Sequence, residues 1–179
     1  MAKVTTRAGD SGYTGLLGSE RVPKYDDRIE ALGLIDEANS AIGLARATAT
    51  DERARALLLQ QQQVLYRLMA ELATTADAAG KIKISPIAPN DVAELERLSD
   101  DLKRDVQIGN RFVVPGENLP GATLDLARAV VRRAERFVAR LHHAGEVANP
   151  EVIRYLNRLS DFLFVLARWA ERGQTREAS

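Results

Sequence analysis

The sequence predicts an all-α protein, a five-helix antiparallel bundle preceded by a glycine-rich loop. Three observations carry this. Apolar residues recur at helical spacing through most of residues 23–172. Helix starts are marked by Asp, Asn and Pro, and the breaks between stripes are short. The first 22 residues have no such period and are spaced by glycine instead.

The loop comes first. Gly9, Gly12, Gly15 and Gly18 fall every third residue among Thr5, Thr6, Asp10, Ser11 and Thr14. Such a segment can turn backbone N–H groups toward an anion. No Gly-Lys-Ser/Thr follows, so it is not a Walker A loop. Gly9-Asp10-Ser11-Gly12 has the look of a serine-protease nucleophile segment, but the helical pattern excludes that β-barrel fold. The plain alternative is a flexible arm.

Helix 1 is expected from Pro23–Asp27 to about Thr48, with Leu32, Ile35, Ile42 and Ala45 on its apolar face. Helix 2 is expected over Asp51–Asp77, with Leu58, Leu65, Leu68 and Leu72 in register. Residues 80–89 read as an extended connector. Asn90-Asp91 is the expected cap of helix 3, whose stripe is Val92, Leu95, Leu98, Leu102 and Val106. Phe112-Val113-Val114 before Pro115-Gly116 reads as an extended stretch and a turn. Asn118 and Pro120 open helix 4, which ends near Gly145. Asn149-Pro150 opens helix 5, with Val152, Leu156, Leu159, Leu163 and Leu166 inward. No linker divides the chain, so 1–179 is expected to be one domain, with 1–22 as the loop and 23–172 as the bundle.

Helix 4 carries the most informative surface. Arg128, Arg132 and Arg136 recur every four residues and form one stripe, with Glu135 inside it and Arg133 beside it. Ala127, Val131, Ala134, Val138 and Leu141 face the other way. Guanidinium forks bind phosphate oxygens in pairs and keep their charge, so the rail suits a polyphosphate. The plain alternative is a solvated face with Glu135 paired to Arg132. Lys plus Arg and Asp plus Glu are both 25, which argues against a general nucleic-acid or membrane-surface binder. There is no Cys, and the two His are adjacent, which disfavours thiolate, His-metal and Ser-His-Asp chemistry. No apolar run reaches the ~20 residues of a membrane span, and no signal-like segment opens the chain. A cytoplasmic location is the expectation.

Three blocks then line up. The first is Thr6-Arg7-Ala8-Gly9-Asp10-Ser11-Gly12-Tyr13-Thr14, with Gly18, Arg21-Val22, Lys24, Glu30, Asp36-Glu37, Asn39-Ser40 and Ile42-Gly43. The second is Phe112-Val113-Val114-Pro115-Gly116 with Ala127-Arg128 and Arg132-Arg133-Ala134-Glu135-Arg136. The third is Asn149, Tyr155-Leu156-Asn157-Arg158-Leu159-Ser160-Asp161, Leu163-Phe164 and Ala167-Arg168. In this order they resemble the PduO-type ATP:cob(I)alamin adenosyltransferases.

The resemblance implies a ferritin-like bundle that forms a homotrimer with sites between subunits. It implies transfer of the 5′-deoxyadenosyl group of ATP to the cobalt of cob(I)alamin, with release of triphosphate. The reduced corrinoid is itself the nucleophile, so the protein's tasks are alignment and charge stabilisation. By resemblance Thr6, Arg7, Ala8, Gly9, Thr14 and Gly15 wrap the nucleotide, and Lys24 meets phosphate. Arg132, Arg133, Ala134, Glu135, Arg136 and Asn157 form the other side of the ATP site, and the catalytic set implied is Arg132, Glu135, Phe112, Asp36 and Arg128. Asp36 and Arg128 resemble a pair bridging subunits beside the corrinoid, and Phe112 resembles the aromatic under the corrin ring. Mg²⁺ is expected on ATP phosphates and waters, with no protein metal site. A reductase supplying cob(I)alamin and an adenosylcobalamin-dependent enzyme are the implied partners. Two positions depart from the family pattern: Glu117 stands where a second glycine is usual, and Asp125 where His is frequent. Alternatives of other classes are a non-catalytic ATP or corrinoid sensor, a cofactor carrier, and a scaffold bundle. Without the resemblance, Arg158 and Asp161 read as an i,i+3 ion pair and Phe112 as a core aromatic.

Overall fold

The structure is a computed structural model and describes residues 5–106, 108–109 and 112–172. Residues 1–4 of the expected loop lie outside the described residues. Five helices are present: α1 (Asp27–Thr48), α2 (Glu52–Ala73), α3 (Pro89–Lys103), α4 (Leu119–His143) and α5 (Pro150–Ala170). They are preceded by a two-stranded hairpin, β1 (Tyr13–Gly15) and β2 (Arg21–Pro23). The strands are antiparallel, with Thr14 opposite Val22.

The caps follow the sequence closely. Asp26, Asp51, Asn118 and Asn149 cap α1, α2, α4 and α5, each side chain accepting from backbone N–H groups of the first turn. Helix α3 differs from expectation. It opens at Pro89 after Ala88, and Asp91 reaches back to accept from the Ala88 N–H at 2.8 Å. That is the carboxylate half of a capping box. Helix α3 also stops at Lys103, which leaves Val106 beyond it, packed on the edge of the core.

Helix α4 packs on both α1 and α5, α2 on α1, and α3 on α5. The stripes predicted for α1, α2, α4 and α5 meet in one core, which includes Ile35, Ile42, Leu58, Leu65, Val131, Val138, Leu156 and Leu163. Tyr155 and Phe162 are its largest fully buried side chains. The Tyr155 hydroxyl donates to Gln61 Oε1 at 2.7 Å, so its polar tip is satisfied across α2 and α5. Helix α2 ends at Ala73, not Asp77, because Leu17 forms a parallel bridge with Thr74. The backbone groups that would continue the helix are taken by another segment.

Candidate active site

Helix α4 presents the arginine rail as the spacing requires. Ala127, Val131, Ala134, Val138 and Leu141 are buried, while Arg132, Arg133 and Arg136 are exposed. Among the described residues no hydrogen bond or ion pair engages Arg132 or Arg136. Arg133 pairs with Glu37 of α1, and Arg140 with Asp27 at 2.9 Å. Arg133, Arg136, Phe137 and Arg140 line an open groove of about 380 Å³ with Glu30 and Leu34 of α1. Guanidinium groups held at fixed rise on one helix can meet successive phosphates without reorganising. The Ala134 side chain is fully buried and packs in the core beneath the rail.

Glu135 is not paired to Arg132. Its Oε1 accepts from Asn157 Nδ2 on α5 at 2.9 Å, and Asn157 Oδ1 accepts from Arg158 at 2.7 Å. Arg158 also bonds Glu96 of α3 at 2.7 Å and lies 3.8 Å from Asp161. The structure therefore brings Glu135 and Asn157 together and braces them from α3. Arg158 and Asp161 form the plain ion pair that their spacing allows.

Arg128 sits lower on the rail. Its Nε lies 3.7 Å from Asp125, and its guanidinium lies 5.9 Å from the Phe164 ring centre. Asp125 is buried and bonds buried Arg168 at 2.5 Å; Arg168 reaches Glu171 at 3.0 Å. Burial pushes the Glu171 carboxyl above its ordinary range, with Arg168 opposing. Asp36 is exposed on α1 in an apolar groove with Leu17, Ile29, Leu32 and Met69. Within one chain Arg128 is held by Asp125, not Asp36. Phe112 is 89% exposed, so it fills no core in this chain.

The loop forms a second cluster. Gly9 is approached by Lys24, whose Nζ would lie 3.0 Å from a Cβ placed there. A side chain at Gly9 would crowd the ammonium. Arg21 donates to the Ala8 carbonyl at 2.8 Å, and the Lys24 N–H donates to Gly12 O at 2.9 Å. Arg7 has φ 61°, an uncommon conformation for a non-glycine residue, and Gly12 has φ 80°. Thr6, Arg7 and Ala8 are exposed, as are Gly15 and Lys24; Gly9 and Thr14 are half-buried. Neither hairpin strand packs against α4. Within one chain the hairpin and the arginine rail therefore do not meet. Thr75 and Asp77 carry no sequence signal, because they meet Leu17 and Ser19 from 58 residues away, and Glu171 pairs with Arg168 one turn before it. Among the described residues no group of three or more His, Asp or Glu is placed to hold a metal. No helix among them is long and apolar enough to cross a membrane.

The sequence profile of the family described as "Cobalamin adenosyltransferase" matches residues 4–170. The chain belongs to this family. A corrinoid adenosyltransferase of Citrobacter freundii is 38% identical over 96% of each chain. A cobalamin adenosyltransferase of Cupriavidus metallidurans is 40% identical over 97% of this chain and 90% of that protein. Among solved structures, a variant PduO-type ATP:corrinoid adenosyltransferase from Lactobacillus reuteri, complexed with cobalamin and ATP, superposes with a TM-score of 0.87. It is 28% identical, over 99% of this chain and all of that one. A lysine-for-arginine variant of the enzyme from the same organism, complexed with ATP, gives 0.87 at 30% identity over 98% of each chain. The all-α, five-helix expectation and the family resemblance are both borne out.

Proposed function

We propose that this chain transfers the 5′-deoxyadenosyl group of ATP to the cobalt of cob(I)alamin, forming adenosylcobalamin and releasing triphosphate. One observation carries the reading within the family: Arg132 and Arg136 stand exposed and in line on α4, and no protein group among the described residues engages them. ATP and a reduced corrinoid are the substrates. The bond formed is Co–C5′, and the bond broken is C5′–O; the cobalt supplies the electron pair and the triphosphate carries it away.

The protein's part is positional and electrostatic. Arg132 and Arg136 meet the triphosphate and stabilise the charge that grows on its leaving oxygen. Glu135, fixed by Asn157, orients the nucleotide beside the rail. Thr6, Arg7, Ala8, Gly9, Thr14, Gly15 and Lys24 enclose the nucleotide from a neighbouring copy, a reading supported by the absence of contact between the hairpin strands and α4 within one chain. Arg133 flanks the rail. Mg²⁺ travels with ATP, on its phosphates and waters. Asp36 of one copy and Arg128 of the next flank the corrinoid, and the exposed Phe112 lies under its ring. The assembly is a cytoplasmic homotrimer, supplied with cob(I)alamin by a reductase and serving an adenosylcobalamin-dependent enzyme. Residues 5–22 act as the nucleotide loop and residues 23–172 as the bundle.

Mixing the protein with MgATP and chemically reduced cobalamin tests this reading. Adenosylcobalamin with one triphosphate per turnover supports it. Tight binding of both without a Co–C product would make the chain a sensor or carrier instead.

A further inference from the structure

The glycine-rich loop is tied to the far end of α2 by a clasp that joins residues about 58 apart in sequence. The Leu17 N–H donates to Ala73 O at 2.8 Å, and the Leu17 carbonyl accepts from the Thr75 N–H at 3.1 Å. The Thr75 hydroxyl lies 3.2 Å from the same carbonyl and also bonds the Asp77 carboxylate. That carboxylate in turn accepts from Ser19, at 2.7 Å from its hydroxyl and 3.3 Å from its N–H. Gly18, at φ +155°, threads between them. A Cβ at Gly18 would lie 1.8 Å from Thr75 Oγ1, so no side chain fits.

The clasp is the last support in a continuous chain of contacts. It fixes residues 17–19, the turn that joins β1 to β2. The hairpin then holds the glycine loop through Arg21 to Ala8 O and through Lys24 N–H to Gly12 O. Lys24 Nζ beside Gly9 is thereby set in place. Thr75 is 3% exposed and wholly engaged in this work. Neither Thr75 nor Asp77 lies on the glycine loop or on the arginine rail.

We propose that Thr75 and Asp77 are positioning residues for ATP: they set where the nucleotide loop and Lys24 stand relative to the bundle. The proposal rests on the reading of residues 6–15 and Lys24 as one wall of the ATP site. Three variants test it. Thr75→Val removes the shared hydroxyl, Asp77→Asn weakens the Ser19 contacts at an exposed position, and Gly18→Ala forces the turn away. Hydrogen exchange over residues 8–19 is read beside KM for ATP, KM for cob(I)alamin and kcat. One hydrogen bond is worth about 0.5–1.5 kcal/mol net, so KM for ATP is expected to rise about three- to tenfold in Thr75→Val. Exchange over residues 8–19 quickens, while KM for cob(I)alamin and kcat at saturating ATP stay near the parent values. Asp77→Glu restores part of the ATP affinity that Asp77→Asn loses. Unchanged exchange in both Gly18→Ala and Thr75→Val would overturn the clasp itself. Quickened exchange with an unchanged KM for ATP would leave the clasp standing and overturn the assignment of the loop to ATP, and with it the positioning role. A melting temperature that falls together with every kinetic constant would overturn the proposal in favour of a general structural role.

Discussion

Asp125→Ala is the substitution whose cost the structure defines best. Asp125 and Arg168 are a nearly dry pair, their side chains 5% and 3% exposed, at 2.5 Å. Removing one member of a buried pair leaves the other charged and desolvated, which typically costs about 3–5 kcal/mol. Arg168 keeps Glu171 at 3.0 Å, which places the cost near the lower end, about 3 kcal/mol. For a chain of this length each kcal/mol lowers Tm by about 2–4 °C, so the fall should be about 6–12 °C. Glu94→Ala is the control. Its pair with Arg97 is 2.7 Å long, but the side chains are 40% and 58% exposed, and such pairs contribute about 1 kcal/mol or less. Melting curves at one fixed protein concentration are the assay, since association shifts apparent stability. Equal melting of Asp125→Ala and Glu94→Ala would refute the argument that burial sets the value of the Arg168 cluster.

Arg132→Ala should reduce kcat/KM by about ten- to a hundredfold, from a charge-assisted contact worth about 1.5–3 kcal/mol, and Arg132→Lys should recover only part because the fork is lost. Activity of the lysine form equal to the parent would contradict that role. Phe112→Ala should leave Tm unchanged, since the ring is 89% exposed, yet lose the four-coordinate cob(II)alamin signal with MgATP and most turnover from cob(II)alamin; a variant that still forms this species defeats the assignment. Asp77 should titrate below the ~3.9 of a free aspartate, as read by carboxylate NMR, because Thr75 and Ser19 donate to its charged form. With a depressed folded pKa, the contribution of the clasp is present above the unfolded value and is lost as pH falls through the folded one. An ordinary titration of Asp77 would show that these bonds do not persist in solution.

The five helices are legible because their stripes and caps are local signals. Asp26, Asp51, Asn118 and Asn149 mark starts that depend only on neighbouring N–H groups. The hairpin is not legible: three-residue strands are too short to display a period of two. The early end of α2 was hidden for a related reason, since the Leu17 backbone decides it from 57 residues away. At the site, the i,i+4 rail and its buried back face follow from helix geometry alone. The partner of Glu135 does not. Local spacing offered Arg132, whereas packing of α4 on α5 delivers Asn157. The burial of Ala134, between two rail positions, is likewise legible from its place in the inward stripe.

In the proposed assembly the loop of one copy and the rail of another complete one site. Co-expressing Lys24→Ala and Arg132→Ala chains under different tags, and isolating assemblies that carry both, tests it most directly. Each variant alone is expected to be nearly inactive. In a head-to-tail trimer that carries both chains, one of the three interfaces pairs an intact loop with an intact rail. The mixed assemblies are therefore predicted to regain about a third of the parent's adenosylcobalamin formation per site. Mixed assemblies no more active than either variant alone would contradict the claim.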